Sequence, residues 1–155
     1  MVRKIFIDVA KCISCHACEI ACIEIHGKTY ISVYEVTDFL AIPLKCMHCE
    51  KAPCIRVCPT RAMRKANGIV IVDDNKCIGC TSCISACPFG APELNSKGII
   101  EKCDQCRART AKGLLPACVA ACPTGALAFM EEEEFTRLRR LSIVRELSEK
   151  LVAYQ

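Results

Sequence analysis

Apolar and polar residues alternate in short stretches along most of this 155-residue chain and change to a helical period only near its end. Ile5-Phe6-Ile7-Asp8-Val9 reads as a strand. Residues 61–65 and the run Ile69-Val70-Ile71-Val72-Asp73 flank Asn67-Gly68, the strongest short hairpin signal, and predict a β-hairpin. A second hairpin is predicted around Asn95-Ser96-Lys97-Gly98, with Ile99 and Ile100 returning. Single helical turns are expected over 81–86 and 118–121. From Glu131 the spacing changes. Phe135, Leu138, Leu141, Val144, Leu147, Leu151 and Tyr154 follow at steps of three or four, behind acidic Glu131, Glu132, Glu133 and Glu134 and without Gly or Pro. A C-terminal helix over 131–155 is therefore predicted. Three roles suit it: packing on its own core, docking on a partner, or lying on a membrane surface through Arg137, Arg139, Arg140 and Arg145.

Composition changes this picture of short elements. Sixteen of the residues are cysteine, and the 52% hydrophobic content drops to about 42% without them. With no Trp, three Tyr and five Phe, the organic core is thin, so metal or cross-links must serve as core and staple, and an apo form should fold badly. Disulfides need an oxidising compartment. Met1-Val2-Arg3-Lys4 leads directly into the first strand with no signal peptide, twin-arginine segment or membrane-length apolar run, so reduced thiols and a cytoplasmic location are expected unless a partner subunit carries an export signal for both.

The cysteines fall into four groups of four with none left over: Cys12, Cys15, Cys18, Cys22; Cys46, Cys49, Cys54, Cys58; Cys77, Cys80, Cys83, Cys87; and Cys103, Cys106, Cys118, Cys122. The third, with Pro88 after it, fits C-x2-C-x2-C-x3-C-P throughout. In that motif three cysteines on a tight loop grip one 4Fe-4S cluster while the fourth reaches a second. Groups two and four widen the loop, with four residues between Cys49 and Cys54 and eleven between Cys106 and Cys118, but keep the ending at Cys58-Pro59 and Cys122-Pro123. Group one has the spacing without the proline. Gly79 suits a backbone that comes close to inorganic sulfur, and Pro88 a turn that needs no free amide. Zinc is the competing use of CxxC pairs, but such a run crowds too many thiolates for one closed tetrahedral site. Four clusters with four ligands each close the arithmetic.

Charge follows from that chemistry. The formal +4 counts cysteine as neutral. Sixteen thiolates add about −16 and four oxidised cubane cores return about +8, so the loaded protein lies near −4. Arg61, Arg64 and Lys65, and Arg107, Arg109 and Lys112, lie near cysteine groups, where they either offset cluster charge or form solvated surface. Nucleic-acid binding is disfavoured because aromatic residues are not interleaved with them.

Three stretches together resemble a known family: Cys46-Met-His-Cys49-Glu-Lys-Ala-Pro53-Cys54-Ile-Arg-Val-Cys58-Pro59-Thr, residues 73–88, and Lys102-Cys103-Asp104-Gln-Cys106 through Gly113, Pro116-Ala-Cys118 and Cys122-Pro-Thr-Gly125-Ala126-Leu127. They are similar to the four-cluster ferredoxin-like electron-transfer subunits of the dimethyl sulfoxide reductase iron-sulfur subunit family. That family also serves formate dehydrogenases, hydrogenases, carbon monoxide dehydrogenase and tungsten aldehyde oxidoreductases. The likeness covers residues 1 to about 130.

The resemblance implies an α+β fold of tandem bacterial-ferredoxin-like cluster-binding lobes with short β-hairpins and a C-terminal α-helix. It also implies nested wiring. Cys12, Cys15 and Cys18 share a cluster with Cys122, and Cys103, Cys106 and Cys118 one with Cys22; Cys46, Cys49 and Cys54 pair with Cys87, and Cys77, Cys80 and Cys83 with Cys58. Residues 1–45 plus 95–130 then form an outer lobe, 46–94 an inserted inner lobe and 131–155 the helix. Spacing alone leaves a sequential arrangement open, group one with two and three with four, because the gaps between groups are 23, 18 and 15 residues.

No catalytic residues are expected. His16 and His48 lie in cluster loops, where they either tune potential or serve surface and packing roles, and His26 is unassigned. The leading expectation is a non-catalytic subunit that wires a larger oxidoreductase, of tungsten- or molybdenum-pterin aldehyde oxidoreductase type, to a redox partner. Hydrogenase, formate dehydrogenase and carbon monoxide dehydrogenase are alternative partners. A freely diffusing polyferredoxin and a self-associating conductor are the rival readings.

Overall fold

A computed structural model describes residues 2–152, with side chains to Lys150. Its elements run β1 (Lys4–Ile7), a 3-10 turn (Val9–Lys11), α1 (Ala17–His26), β2 (Ile31–Thr37), β3 (Leu40–Lys45), α2 (Pro53–Arg56), β4 (Met63–Ala66), β5 (Ile69–Val72), α3 (Ser82–Ser85), β6 (Glu93–Leu94), β7 (Ile100–Glu101), α4 (Arg107–Thr110), α5 (Ala117–Ala120), β8 (Leu127–Met130) and α6 (Glu132–Val152). Small helices and two-stranded sheets thus alternate, in agreement with a mixed α and β fold of short antiparallel hairpins.

Three predicted features form where expected. Asn67 and Gly68 both take left-handed backbone, φ 49° and 75°, and close the β4–β5 hairpin in register Ala66↔Ile69. A side chain at Gly68 would run into Val2, so the turn also fixes where the chain start lies. The second hairpin pairs Leu94 with Ile100. The helical turns at 82–85 and 117–120 follow their cysteine loops.

Two features differ. The second half of group one, Cys18 and Cys22, lies within a ten-residue helix rather than ahead of a single turn, and Glu19 holds that helix from outside: its carboxylate accepts the Val33 N–H at 2.5 Å and meets His16 Nδ1 at 3.0 Å. Residues 31–45 form a long hairpin, β2–β3, with Pro43 opposite Val33. Proline is tolerated there because a two-stranded sheet consists of edge strands.

Buried side chains collect in two groups. One joins Ile5, Cys18, Cys22 and Ile31 to Cys118 and Leu127. The other joins Ala52, Cys54, Met63, Val70, Cys83 and Ile100. The first draws on both ends of the chain, which the β1–β8 pairing brings together from Lys4↔Met130 to Ile7↔Leu127. Correspondingly α1 packs on α5, and α2 on α3.

The C-terminal helix is docked at its first turns only. Phe135 stacks on Phe6, with ring centroids 4.3 Å apart at 9°, and Arg139 reaches Asp8 at 3.4 Å. Leu138, Leu141, Val144 and Leu147 are exposed, so the periodic stripe is not buried as a whole. The side chain of Leu151 and all of Tyr154 lie outside the described residues. No described helix is long and apolar enough to cross a membrane.

Candidate metal centres

The cysteine loops begin with backbone that ordinary residues avoid. Ser14, His16, His48, Thr81, Gln105 and Cys106 all have φ between 47° and 62°, in company with Gly79 at 65°. Each such residue costs roughly 1–3 kcal/mol, which the surrounding contacts must offset. The left-handed pair Ser14 and His16 in group one matches Gly79 and Thr81 in group three, and His48 in group two matches Gln105 in group four. The loops thus come in two conformational types. At Gly79 the immediate neighbour is the Gly98 carbonyl, which occupies the place a Cβ would take.

These loops aim thiols inward in sets that mix the groups. Cys12, Cys15 and Cys18 line one cavity together with Cys122, between Val33, Pro43 and Leu127. Cys77, Cys80 and Cys83 line a second with Cys58, between Met63, Val72 and Ile100. Burial, and then the Cys103, Cys106 and Cys22 thiols around it, push the Cys118 thiol up to about 12. Burial, followed by neighbouring Cys46 and by Cys87, likewise raises Cys54. Cys49 packs beside Cys54 in the second buried group.

The two cysteines that precede proline in groups two and four are treated differently from the buried ones. Burial opposes ionisation of Cys58, but N–H groups of Met63, Ala62 and Thr60 and the Thr60 hydroxyl hold its thiol below the ordinary value. Cys122 is held down in the same way against burial by Leu127, Thr124 and Ala126 amides and the Thr124 hydroxyl. The hydroxyls lie 3.7 Å and 3.8 Å from the two sulfurs. Elsewhere Cys22, Cys77, Cys103 and Cys106 each accept a backbone N–H at 3.3–3.5 Å. Burial nevertheless outweighs these donors and raises Cys22, Cys103 and Cys106.

This donor set fits an iron-sulfur core. Burial drives Cys18 and Cys103 up to about 11, so ionising such crowded thiols requires a positive body among them. One orphaned donor adds to the fit. His48 accepts the Val70 N–H on Nδ1 at 3.1 Å, which leaves the proton on a buried Nε2 without a protein partner.

Several neighbours of the cysteines were not evident from the sequence. Nε2 of His26, eighty residues away along the chain, lies 3.3 Å from Cys106 Sγ. His16 lines the first cavity with its ring turned to Glu19. Arg61, Arg64, Arg107 and Lys112 are exposed, and Lys65 is paired with Glu50 at 2.6 Å, so the surface reading holds for these. The buried cations are instead Lys45 and Lys102. A readable signal pointed to them, since all four groups are preceded by lysine: Lys11, Lys45, Lys76 and Lys102.

Residues 37–132 match the family described as the 4Fe-4S dicluster domain. The sequence is 42% identical over 148 residues to the thiosulfate reductase electron transfer subunit of Salmonella typhi, covering 84% of this chain and 77% of that one. It is 37% identical over 153 residues to a subunit of the anaerobic dimethyl sulfoxide reductase of Escherichia coli, covering 85% and 75%. It is 34% identical over 175 residues to the formate dehydrogenase iron-sulfur subunit of Wolinella succinogenes, covering 92% and 88%. A cysteine framework of this kind and relatives of this breadth agree: the chain belongs to the dimethyl sulfoxide reductase iron-sulfur subunit family and is an electron-transfer protein of four 4Fe-4S clusters.

Proposed function

We propose that this protein is a non-catalytic subunit that relays electrons between a larger oxidoreductase and a redox partner, through clusters held by all sixteen cysteines in nested pairs. The observation that carries the wiring is the pair of matching cavities, each lined by three cysteines of one group and the fourth cysteine of another. A sequential arrangement requires Cys122 beside group three, whereas it shares a cavity with Cys12, Cys15 and Cys18. The two buried groups of side chains support an outer lobe built from 1–45 and 95–130 around an inserted lobe at 46–94, with Ile100 extending the inner lobe's packing through β7.

A bound 4Fe-4S cluster supplies a one-electron store at a fixed place. The chain does the rest. Cysteine at every ligand position leaves no iron open to substrate, buried Cys18, Cys54, Cys83 and Cys118 keep water from the sulfurs, and amide donors stabilise the thiolates. The catalytic partner is proposed to be a tungsten- or molybdenum-pterin oxidoreductase such as an aldehyde oxidoreductase, working in the cytoplasm. The relatives, named as subunits of two reductases and a dehydrogenase, support a partner of this general kind.

Anaerobic purification from the native source, with iron analysis and EPR, tests both parts. A large oxidoreductase subunit copurifies, and the chain holds about sixteen iron atoms. Cys122→Ser and Cys15→Ser alter the same EPR signal. If Cys122→Ser instead alters the signal that Cys80→Ser alters, the nested wiring is wrong.

A further inference from the structure

Two buried lysines each stand directly before the first cysteine of a group. Lys45 ends β3 immediately before Cys46, and Lys102 follows β7 immediately before Cys103. They are 3% and 6% exposed. Lys45 Nζ donates to the Cys46 carbonyl at 3.1 Å, and Lys102 Nζ to the carbonyls of Val70 and, at 3.1 Å, Cys103. Neither ammonium takes part in an ion pair with a carboxylate among the described residues.

A buried ammonium without a counter-ion is unfavourable, so its anion must come from elsewhere. The cysteines supply it. Each lies beside a proposed cluster ligand: Lys45 Nζ reaches the carbonyl of Cys46, in the Cys46, Cys49, Cys54, Cys87 set, and Lys102 Nζ that of Cys103, in the Cys22, Cys103, Cys106, Cys118 set. The lysines at the same place in the other two groups are arranged otherwise: Lys11 and Lys76 are exposed and paired with Asp8 and Asp73 at 3.5 Å and 3.7 Å.

We propose that Lys45 and Lys102 form a fixed positive pair between the Cys46, Cys49, Cys54, Cys87 set of the inner lobe and the Cys22, Cys103, Cys106, Cys118 set of the outer lobe, and that it raises the reduction potentials of the clusters held there. This rests on the four-cluster reading. Each reduction adds one electron, hence one negative charge, with no bond made or broken. A positive charge within the low-dielectric interior favours that state, and salt screens it far less than it screens an exposed lysine. The pair makes the crossing between the two lobes a place where an electron is held.

The test is an anaerobic EPR-monitored redox titration of the holoprotein and its variants. Lys45→Met and Lys102→Met each make at least one cluster roughly tenfold harder to reduce, a downward shift of about 59 mV for one electron. Lys45→Arg and Lys102→Arg retain the wild-type potentials, and Lys11→Met and Lys76→Met move none by more than about threefold. Unchanged potentials in loaded Met variants, or equal shifts in the Lys11 and Lys76 variants, overturn the proposal. If the Met variants lose iron, Lys45→Gln and Lys102→Gln keep a donor for the carbonyl. Loading by Arg but not Gln variants then upholds the need for charge, and failure of the Arg variants overturns it. A wild-type protein with fewer than four clusters would sink the four-cluster reading instead.

Discussion

His48 is neutral in the folded protein, and this makes the fold sensitive to acid. Burial, reinforced by the nearby Lys102 and Lys45 ammoniums, pushes its imidazole down to about 2. In the unfolded chain the ring takes up a proton near pH 6.5. The unfolded state therefore binds more protons below that pH, and stability is lost as pH falls from about 6.5, by up to about 1.4 kcal/mol per pH unit. Gln105 stands at the matching place in group four, with the same left-handed backbone and the same burial, so His48→Gln is a substitution the loop accepts. Its amide oxygen can take the Val70 N–H while nothing titrates. Anaerobic guanidinium unfolding at pH 7, 6 and 5 is expected to show a pH slope shallower by about one proton in His48→Gln, and equal slopes would count against it. Such a role was hidden in the sequence, because Cys-Met-His-Cys gives the residue's position but not the Val70 strand that covers it. The lysine before each cysteine group was readable, yet only Asp8 and Asp73, three residues ahead of Lys11 and Lys76, distinguish the exposed pair from the buried one.

Elements followed the sequence wherever a local signal fixed them. Asn67-Gly68 needs nothing beyond two residues with positive φ, and β4–β5 forms around it. The β2–β3 hairpin had no such signal: its turn is Asp38-Phe39, and Pro43 argues against a strand unless the sheet is known to have only two. Helix α6 follows its period from Glu132, but periodicity does not tell which apolar residues find a neighbour. Phe135 stacks on Phe6, while Leu141 and Val144 stay more than half exposed. The Phe6 stack is therefore the main attachment of the helix, with Arg139 and Asp8 beside it. A stacked aromatic pair contributes about 0.5–1.5 kcal/mol beyond its buried area. Phe135→Ala is expected to release α6, seen as a rise of roughly 5–30-fold in proteolytic cleavage within 132–152, with the visible absorption of the clusters unchanged. Loss of that absorption along with the helix would mean that α6 supports the cluster-binding body.

At the scale of the molecule, cysteine sulfur is part of both buried groups of side chains, with Cys18, Cys22 and Cys118 in one and Cys54 and Cys83 in the other. A thin organic core was foreseeable from composition, and so was four-fold grouping. The proposed crossing of the fourth cysteines between groups was not, because 23, 18 and 15 residues of intervening chain permit either wiring. The β1–β8 pairing supports the proposed crossing: by holding residue 4 against residue 130 it brings Cys122 back to the first loop. Cluster loss should then have two linked effects. With the positive cores gone, thiols that burial holds at about 11 to 12 take protons and lose the bodies they surround, and both cores open together. Net charge moves at the same time, from about −4 loaded to the formal +4 of the bare chain. An iron chelator with a mild oxidant, under anaerobic conditions and followed by thiol reduction, is expected to abolish far-ultraviolet dichroism in step with visible absorption. The same treatment should transfer the protein at pH 7 from an anion exchanger to a cation exchanger. Secondary structure that outlives the absorption would show that side-chain packing alone sustains the fold, and a protein that changes exchanger without unfolding would separate the electrostatic part of the clusters' contribution from the structural one.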